Sequence, residues 1–502
     1  MTEVSRRTLL KGIAAAPFVY AVAPRAFAAA GPRADIATPA GEEMLAIYAD
    51  AVRKMKALTP DNHLSWTWWW YQHFTDGRTS KNAEITRIFG ATPSTMRTNA
   101  VEMWNTCQPH SGQNPHFFLP WHRMYTYYLE RVVRQITGRA DFSMPYWHYC
   151  SDDPAQRGVL PPQFRLPDDP VWGVLYKPNR RAIANAGQPI QMNEPSDPMD
   201  ISSIMSKEKY ENVGADIGFC RAMDSGIHGR IHVLTGTSVG MGGVPYAADD
   251  PLFAVHHATV DRMWASWNRN GGKNPTDTVA FPWLNTQFAM MRENGTRVAL
   301  RSTQLWSIQT MGYAYDSYVP RPVAPPAAPA STTTTMAKLA AKSPLSTKVA
   351  ASDAMATLGA TATTVRMLRV STAKQTEVLG LDTDGRKAFL VMRKLHAWKQ
   401  PGVLYHVYLC ASPTAPLDAS AYVGNINFFD AEFHDHGGAN SKLDTALGEN
   451  FYSWDVTAHL RNMAKRKVGS SAREMLFVKV VPSGKPDAAA KPMIAQMELI
   501  RQ

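Results

Sequence analysis

Apolar residues recur every three to four positions between Glu42 and Leu58, at Met44, Ile47, Val52 and Met55, which predicts an amphipathic helix. The same period over 118–136 sets Trp121, Tyr125, Tyr128, Leu129, Val132 and Ile136 on one face of another helix. The run from Trp66 to His73 is aromatic almost throughout and reads as a core helix. Residues 151–215 are rich in Pro, Asp and Asn and read as long loops. Beyond Ser346 the pattern shortens to β-type runs at 365–370, 388–395, 403–409, 422–429, 475–481 and 493–500, divided by turn residues. A mainly α domain followed by an all-β sandwich is the expected architecture.

Composition sharpens the boundaries. Val319–Ser346 is rich in Pro, Ala and Thr, with four consecutive threonines, so a linker is expected over 319–360 and the β domain over 361–502. At the N-terminus, Ser5-Arg6-Arg7 precedes an apolar stretch from Gly12 to Val22 and an Ala26-Phe27-Ala28 cleavage pattern. Residues 1–28 therefore read as a twin-arginine signal, with the first domain at 29–318 and a periplasmic or secreted destination. The apolar stretch is too short for a bilayer's ~30 Å core, so no stable membrane association is expected. The formal charge is +11, yet no arginine-rich run or nucleic-acid motif accompanies it; a solvated basic surface is expected, without nucleic acid. Four scattered cysteines, Cys107, Cys150, Cys220 and Cys410, form no disulfide framework, though isolated bridges stay open.

The chemistry lies in the histidines. His228 and His232 stand one helical turn apart and share a face, so both imidazoles can reach one metal. Asp250-Pro251 reads as the turn that starts a helix carrying His256 and His257. Adjacent helical residues diverge by about 100°, so one of that pair is expected to ligate and the other to support it. Zinc-protease chemistry needs a glutamate where Gly229 stands. Upstream, Cys107, His110, His116 and His122 form a second cluster, and two such clusters suggest a metal pair between antiparallel helices.

The segment Phe118-Leu119-Pro120-Trp121-His122-Arg123, and the stretch Asp250 to Trp264 with His256-His257 and Asp261-Arg262, resemble the two copper regions of the type-3 copper family of tyrosinases, catechol oxidases and hemocyanins. The likeness covers roughly residues 60–318. It implies a copper domain with a central antiparallel four-helix bundle and two copper ions. His73, His110 and His122 are assigned to the first copper, and His228, His232 and His257 to the second. His256 and Asp261 are expected to support those ligands, with Asp261 and Arg262 as a charge pair anchoring the helix. His63 is the alternative to His73. The family's usual second ligand position is Gln113, flanked by His110 and His116. His110 is preferred because its Cys-Gln-x-His segment is similar to bacterial members. A thioether to Cys107 and a free buried thiol both stay open there. His148 replaces the aspartate of a Pro-Tyr-Trp-Asp segment and reads as a hydrogen-bonding group. Tyr313-Ala314-Tyr315 is similar to the motif that closes the copper domain in plant relatives.

The resemblance implies a copper-dependent polyphenol oxidase acting on small phenols with dioxygen, o-diphenols to o-quinones. Ortho-hydroxylation of monophenols is less well supported, because Gly229 and Cys220 stand where an asparagine and a glutamate are common; Asp224 is the nearest carboxylate. An o-aminophenol oxidase and a hemocyanin-like oxygen binder are the alternatives, and a copper-delivery protein is a further partner. Residues 405–409, 423–429 and 434–436 resemble the C-terminal domain of plant-type polyphenol oxidases, which implies a shield over the copper site. Phe428 and Phe429 are the candidates to enter it. His434 and His436 read as a surface loop.

Overall fold

The computed structural model describes residues 30–107, 116–322, 346–370, 385–432, 451–465 and 475–502. The signal segment, His110, most of the linker, His434 and His436 lie outside the described residues. The first domain is helical: α1 (Pro39–Lys56), α2 (Trp66–His73), α3 (Lys81–Phe89), α4 (Thr95–Met103) and α5 (Phe118–Thr137) lead into single turns α6 (Ala182–Asn185) and α7 (Ser202–Met205). Then come α8 (Phe219–Met223), α9 (Gly229–Thr235), α10 (Val244–Ala247), α11 (Leu252–Arg269) and α12 (Ile308–Met311). Start signals are written locally. Thr38, Ser65, Ser80 and Ser94 each accept a first-turn backbone N–H through the side-chain oxygen. Gly138, at φ 73°, takes the left-handed position that ends α5.

The expected α1 and α5 form, and α5 packs along α11, whose residues from Leu252 to Trp267 are all buried. Trp68, Trp69, Trp104, Trp121 and Trp264 are buried in this core, and Trp121 packs against His73 at 6.0 Å and His122 at 4.8 Å. A short hairpin of β1 (Gln287–Met291) and β2 (Arg297–Arg301) adds to it and was not expected. No described helix is long and apolar enough to cross a membrane.

The second domain corrects two expectations. Its strands are β3 (Thr347–Ser352), β4 (Ala356–Thr357), β5 (Thr363–Arg369), β6 (Ala388–His396), β7 (Tyr405–Cys410), β8 (Tyr422–Ile426), β9 (Phe451–Asp455), β10 (Met475–Pro482) and β11 (Met493–Arg501). They form one antiparallel sheet, ordered β8-β7-β10-β5-β3-β11-β6-β9 with β4 beside β11, rather than a sandwich of two sheets. The sheet curls until its edges approach: Trp454 of β9 packs where a side chain on Gly424 of β8 would stand. β3 and β4 fall inside the span assigned to the linker, so the sheet begins at Thr347 and not at 361. Alanine and threonine dominate that span, and composition does not separate a small-residue strand from a linker.

The domains meet through matched polar groups. Glu194 pairs with His406 at 2.9 Å, Ser196 Oγ lies 2.8 Å from Tyr422 Oη, Ser453 donates to Ala215 O at 2.5 Å, and Gln502 Nε2 donates to Val213 O at 2.6 Å. Phe428 belongs to the core of the sheet, whereas Phe429 belongs to the core of the helical domain.

Candidate metal centre

The aromatic helix α2 ends on His73, and α5 carries His122 in its second turn. With Cys107 they form a buried group whose potential ligand atoms lie within 4.8 Å of one another. His228, at the end of a π-helical turn, His232 on α9, and His256 and His257 on α11 form a second such group. The groups adjoin: the His122 and His257 rings stack at 4.1 Å and 6°. Four histidine-bearing segments distant in sequence thus converge on one buried centre.

The donor atoms are set by what holds the other ring nitrogen. Nδ1 of His122 lies 2.8 Å from Phe118 O, and Nδ1 of His232 lies 2.6 Å from Met241 O. His228 Nδ1 lies 3.2 Å from Asp224 O and 3.3 Å from Asp224 Oδ1. A carbonyl accepts only from N–H, so the proton sits on Nδ1 and Nε2 has the lone pair to give. Both ring nitrogens of His256 and of His257 are buried without a hydrogen-bond partner. Leaving such a group unsatisfied costs about 1–3 kcal/mol, which a metal ion would offset. Burial pushes the His256 imidazole down to about 3 and, with the neighbouring imidazoles, holds His257 well below its usual range. Both rings are therefore neutral near pH 7, the form that ligates. The donor set fits copper, which favours imidazole, and Cys107 adds a soft sulfur 3.5 Å from His122 Nε2.

Several expected residues fall elsewhere. His63 lies against Glu293 O, and His148 reaches Asp35 at 3.5 Å, so neither joins the centre. His116 stacks on Trp283 at 4.9 Å, outside both groups, and burial lowers its imidazole to about 4. The argument that His256 and His257 diverge too far to approach one ion is overturned: their Cα–Cβ vectors diverge, but both rings reach the same group. For Cys107, where a thioether to His110 and a free buried thiol were both open, the structure shows a buried thiol, outside any disulfide and set against His122. Asp224 lies beneath His228 and accepts from Arg221 Nη1 at 3.2 Å. It orients the His228 ring. Burial pushes the Cys220 thiol up to about 12.

Asp261 does not pair with Arg262. Its carboxylate accepts from Arg123 Nε at 2.5 Å, Arg33 Nη1 at 3.1 Å, Tyr313 Oη at 2.8 Å and Tyr315 Oη at 2.6 Å. Those two arginines hold its carboxyl below the usual carboxylate range against the opposing effect of burial. Arg262 instead donates to Ser317 O at 2.9 Å and covers the Tyr146 ring. The Tyr-x-Tyr segment and α11 are thereby bolted to α5 and to the N-terminal strand residue Arg33. No disulfide forms among the described cysteines.

The family model for the common central domain of tyrosinase matches residues 65–173 and 175–270, which include all the described histidines of the centre. This region carries the common central domain of tyrosinase. Tyrosinase HcTyr1 of Hahella sp. (strain CCB-MM4) is 29% identical over 306 residues, covering 56% of this chain and 62% of that protein. The chloroplastic polyphenol oxidase C of Solanum lycopersicum is 26% identical over 316 residues, 55% of this chain and 45% of that protein. The chain thus spans less than two thirds of either relative. A solved latent apple tyrosinase matches with TM-score 0.58 at 19% identity, over 95% of this chain and 98% of that one. A latent aurone synthase from natural source matches with TM-score 0.58 at 17% identity, over 94% and 89%. Those two likenesses are of fold, and they run through both domains of the tyrosinase-like chain.

One contact was foreseen only as a choice between two residues. Phe429, in the 3-10 turn after β8, stacks on His232 at 4.1 Å and 13° and meets His228 edge-on at 5.6 Å. Phe428 turns the other way, against Tyr405 at 5.6 Å. Phe428 caps the 3-10 turn that Phe429 begins, so the chain bends between them, and the tertiary structure decides which ring enters which core.

Proposed function

We propose that the chain is a copper-dependent polyphenol oxidase that converts o-diphenols to o-quinones with dioxygen. The observation that carries this is the stack of His122 on His257, which joins two buried histidine groups into one centre. Two copper ions are assigned, with His73, His110 and His122 toward the first and His228, His232 and His257 toward the second. Bound copper would supply dioxygen binding and electron transfer from the diphenol. His256 stacks on His228 at 5.5 Å and is assigned to support it. The protein's residues do the rest: Phe118 O, Met241 O and Asp224 fix the ring tautomers, and the tryptophan core excludes water. The helices bearing the ligands, α2, α5, α9 and α11, are assigned as the family's antiparallel bundle.

The second domain is assigned as a shield that leaves the full chain latent, because Phe429 lies flat where a substrate ring would meet His232. Twin-arginine export to the periplasm or beyond is assigned from residues 1–28. A protein that makes reactive quinones gains from staying closed until exported. The test is to load the purified chain with copper and assay a catechol, a monophenol and an o-aminophenol side by side. Copper-dependent oxygen uptake with the catechol is expected. Uptake with none of the three rings, at two coppers per chain, would end the proposal and favour an oxygen binder.

A further inference from the structure

Gly229 follows His228 at the start of α9 with ordinary helical angles, φ −62° and ψ −33°. The backbone does not require glycine there, and glycine weakens a helix relative to alanine. Space does require it. A Cβ built on Gly229 would stand 2.6, 2.7 and 2.9 Å from Oδ1, Nδ2 and Cγ of Asn427. The hollow beside the second histidine group is therefore filled by a carboxamide from the other domain. That amide is buried and engaged at both ends: Nδ2 donates to Ser225 O at 2.9 Å, and Oδ1 accepts from Phe429 N at 3.1 Å. Two residues on, the Phe429 ring covers His232. One short segment thus sets a benzene ring on the imidazoles and a primary amide in the Gly229 hollow.

We propose that the Gly229 hollow and the Ser225 carbonyl form a substrate subsite for a carboxamide, and that the preferred phenols and catechols carry one on the ring or on a short arm. The segment Asn427–Phe429 is then an internal mimic of that substrate. The wall chooses the chemistry. Ser225 O only accepts, so the substituent must donate, and the buried Asp224 carboxylate beside His228 disfavours an anionic substituent. This rests on the polyphenol oxidase reading for the identity of the ring, but not for the existence of the hollow.

The test uses the full-length chain, copper-free, with Asn427→Gly and Phe429→Ala to empty both subsites while keeping the domain. Benzamide and acetophenone have nearly the same shape and differ in the N–H donor. Calorimetry is expected to show benzamide binding about fivefold tighter, the worth of one neutral hydrogen bond. Adding Gly229→Ala should abolish the difference, and the unaltered chain should bind neither. Equal affinities in the emptied chain, or a difference that survives Gly229→Ala, would overturn the subsite. Should circular dichroism show the double variant unfolded, the milder pair Asn427→Ala and Phe429→Ala carries the comparison, read as the ratio of KM for 3,4-dihydroxybenzamide and 3,4-dihydroxyacetophenone. A copper-loaded chain that oxidises neither catechol would count against the oxidase reading, whereas the copper-free calorimetry decides the subsite separately.

Discussion

At the scale of single residues, the centre separates side chains that hold one another from side chains that wait for a ligand. His122 and His232 each commit Nδ1 to a backbone carbonyl, whereas His256 and His257 bury both ring nitrogens with no hydrogen-bond partner. Of that pair, His257 faces the other histidine group through His122, and His256 packs against Tyr149 at 5.5 Å. His257→Ala is therefore expected to lose one of two coppers, and His256→Ala to retain both at lower affinity, by about 10- to 100-fold. Metal analysis of the two purified variants checks this; equal loss from both would reverse the assignment. Asp261 tests a different kind of contact. It accepts from two buried arginines and two tyrosines, so Asp261→Ala leaves Arg123 without its carboxylate inside the core. A destabilisation of about 3–5 kcal/mol is expected in chemical denaturation, with a fall in Tm.

At the scale of elements, the buried turn after β8 is followed at once by a carboxyl that makes it sensitive to pH. Phe429 and Glu432 sit three residues apart on it, and Gln400 Nε2 ties it down by donating to Phe428 O and Phe429 O at 3.0 and 3.1 Å. Burial raises the Glu432 carboxyl to about 7, with Gln400 and Lys399 opposing. A carboxyl whose folded pKa lies above its unfolded value holds its proton more tightly when folded. Stability is then greatest below about pH 4.5, falls as pH rises toward 7, and levels off above. The loss is roughly 3 kcal/mol across that window at 1.36 kcal/mol per unit. Glu432→Gln is expected to flatten the slope between pH 4.5 and 7 and to stabilise the chain at pH 8, as urea titrations across that range would show. An unchanged slope would mean that Glu432 reaches water.

At the scale of the whole molecule, two domains with separate cores share one functional centre. Phe429 belongs to the core of the domain that it enters, and the surrounding pairs Glu194–His406 and Ser196–Tyr422 locate the sheet against the 194–230 segment. An interface of this polar kind is expected to open without unfolding either side. Cleavage within 319–346 followed by mild detergent should raise catechol oxidation about tenfold or more over the intact chain. Oxygen-electrode assays before and after the cut measure it. Unchanged activity would leave the second domain as a folding or copper-loading aid. Phe429→Ala in the intact chain should achieve part of the same gain, whereas Phe428→Ala should mainly destabilise the sheet.

Read alone, the sequence was enough for the helical domain and the β domain after it, and five of the six histidines it nominated lie in the two groups that the structure forms. Spacing on helices is local, and a helix of known period presents His228 and His232 together whatever surrounds it. His110 lies outside the described residues. What spacing could not reach depended on contacts across the fold. The strand Thr347–Ser352 was hidden because its small residues gain their β conformation from β11 and β5 on either side. The partners of Asp261 come from 33, 123, 313 and 315, positions that no window around α11 contains. Cys107 joins His73 and His122 by the same kind of long-range closure. Gly229 is the clearest case: in the chain it is a helix-weakening residue between two histidines, and only the docked Asn427 supplies its reason. Local period is written residue by residue, but space is shared between segments, and the packed structure alone says which side chain occupies it.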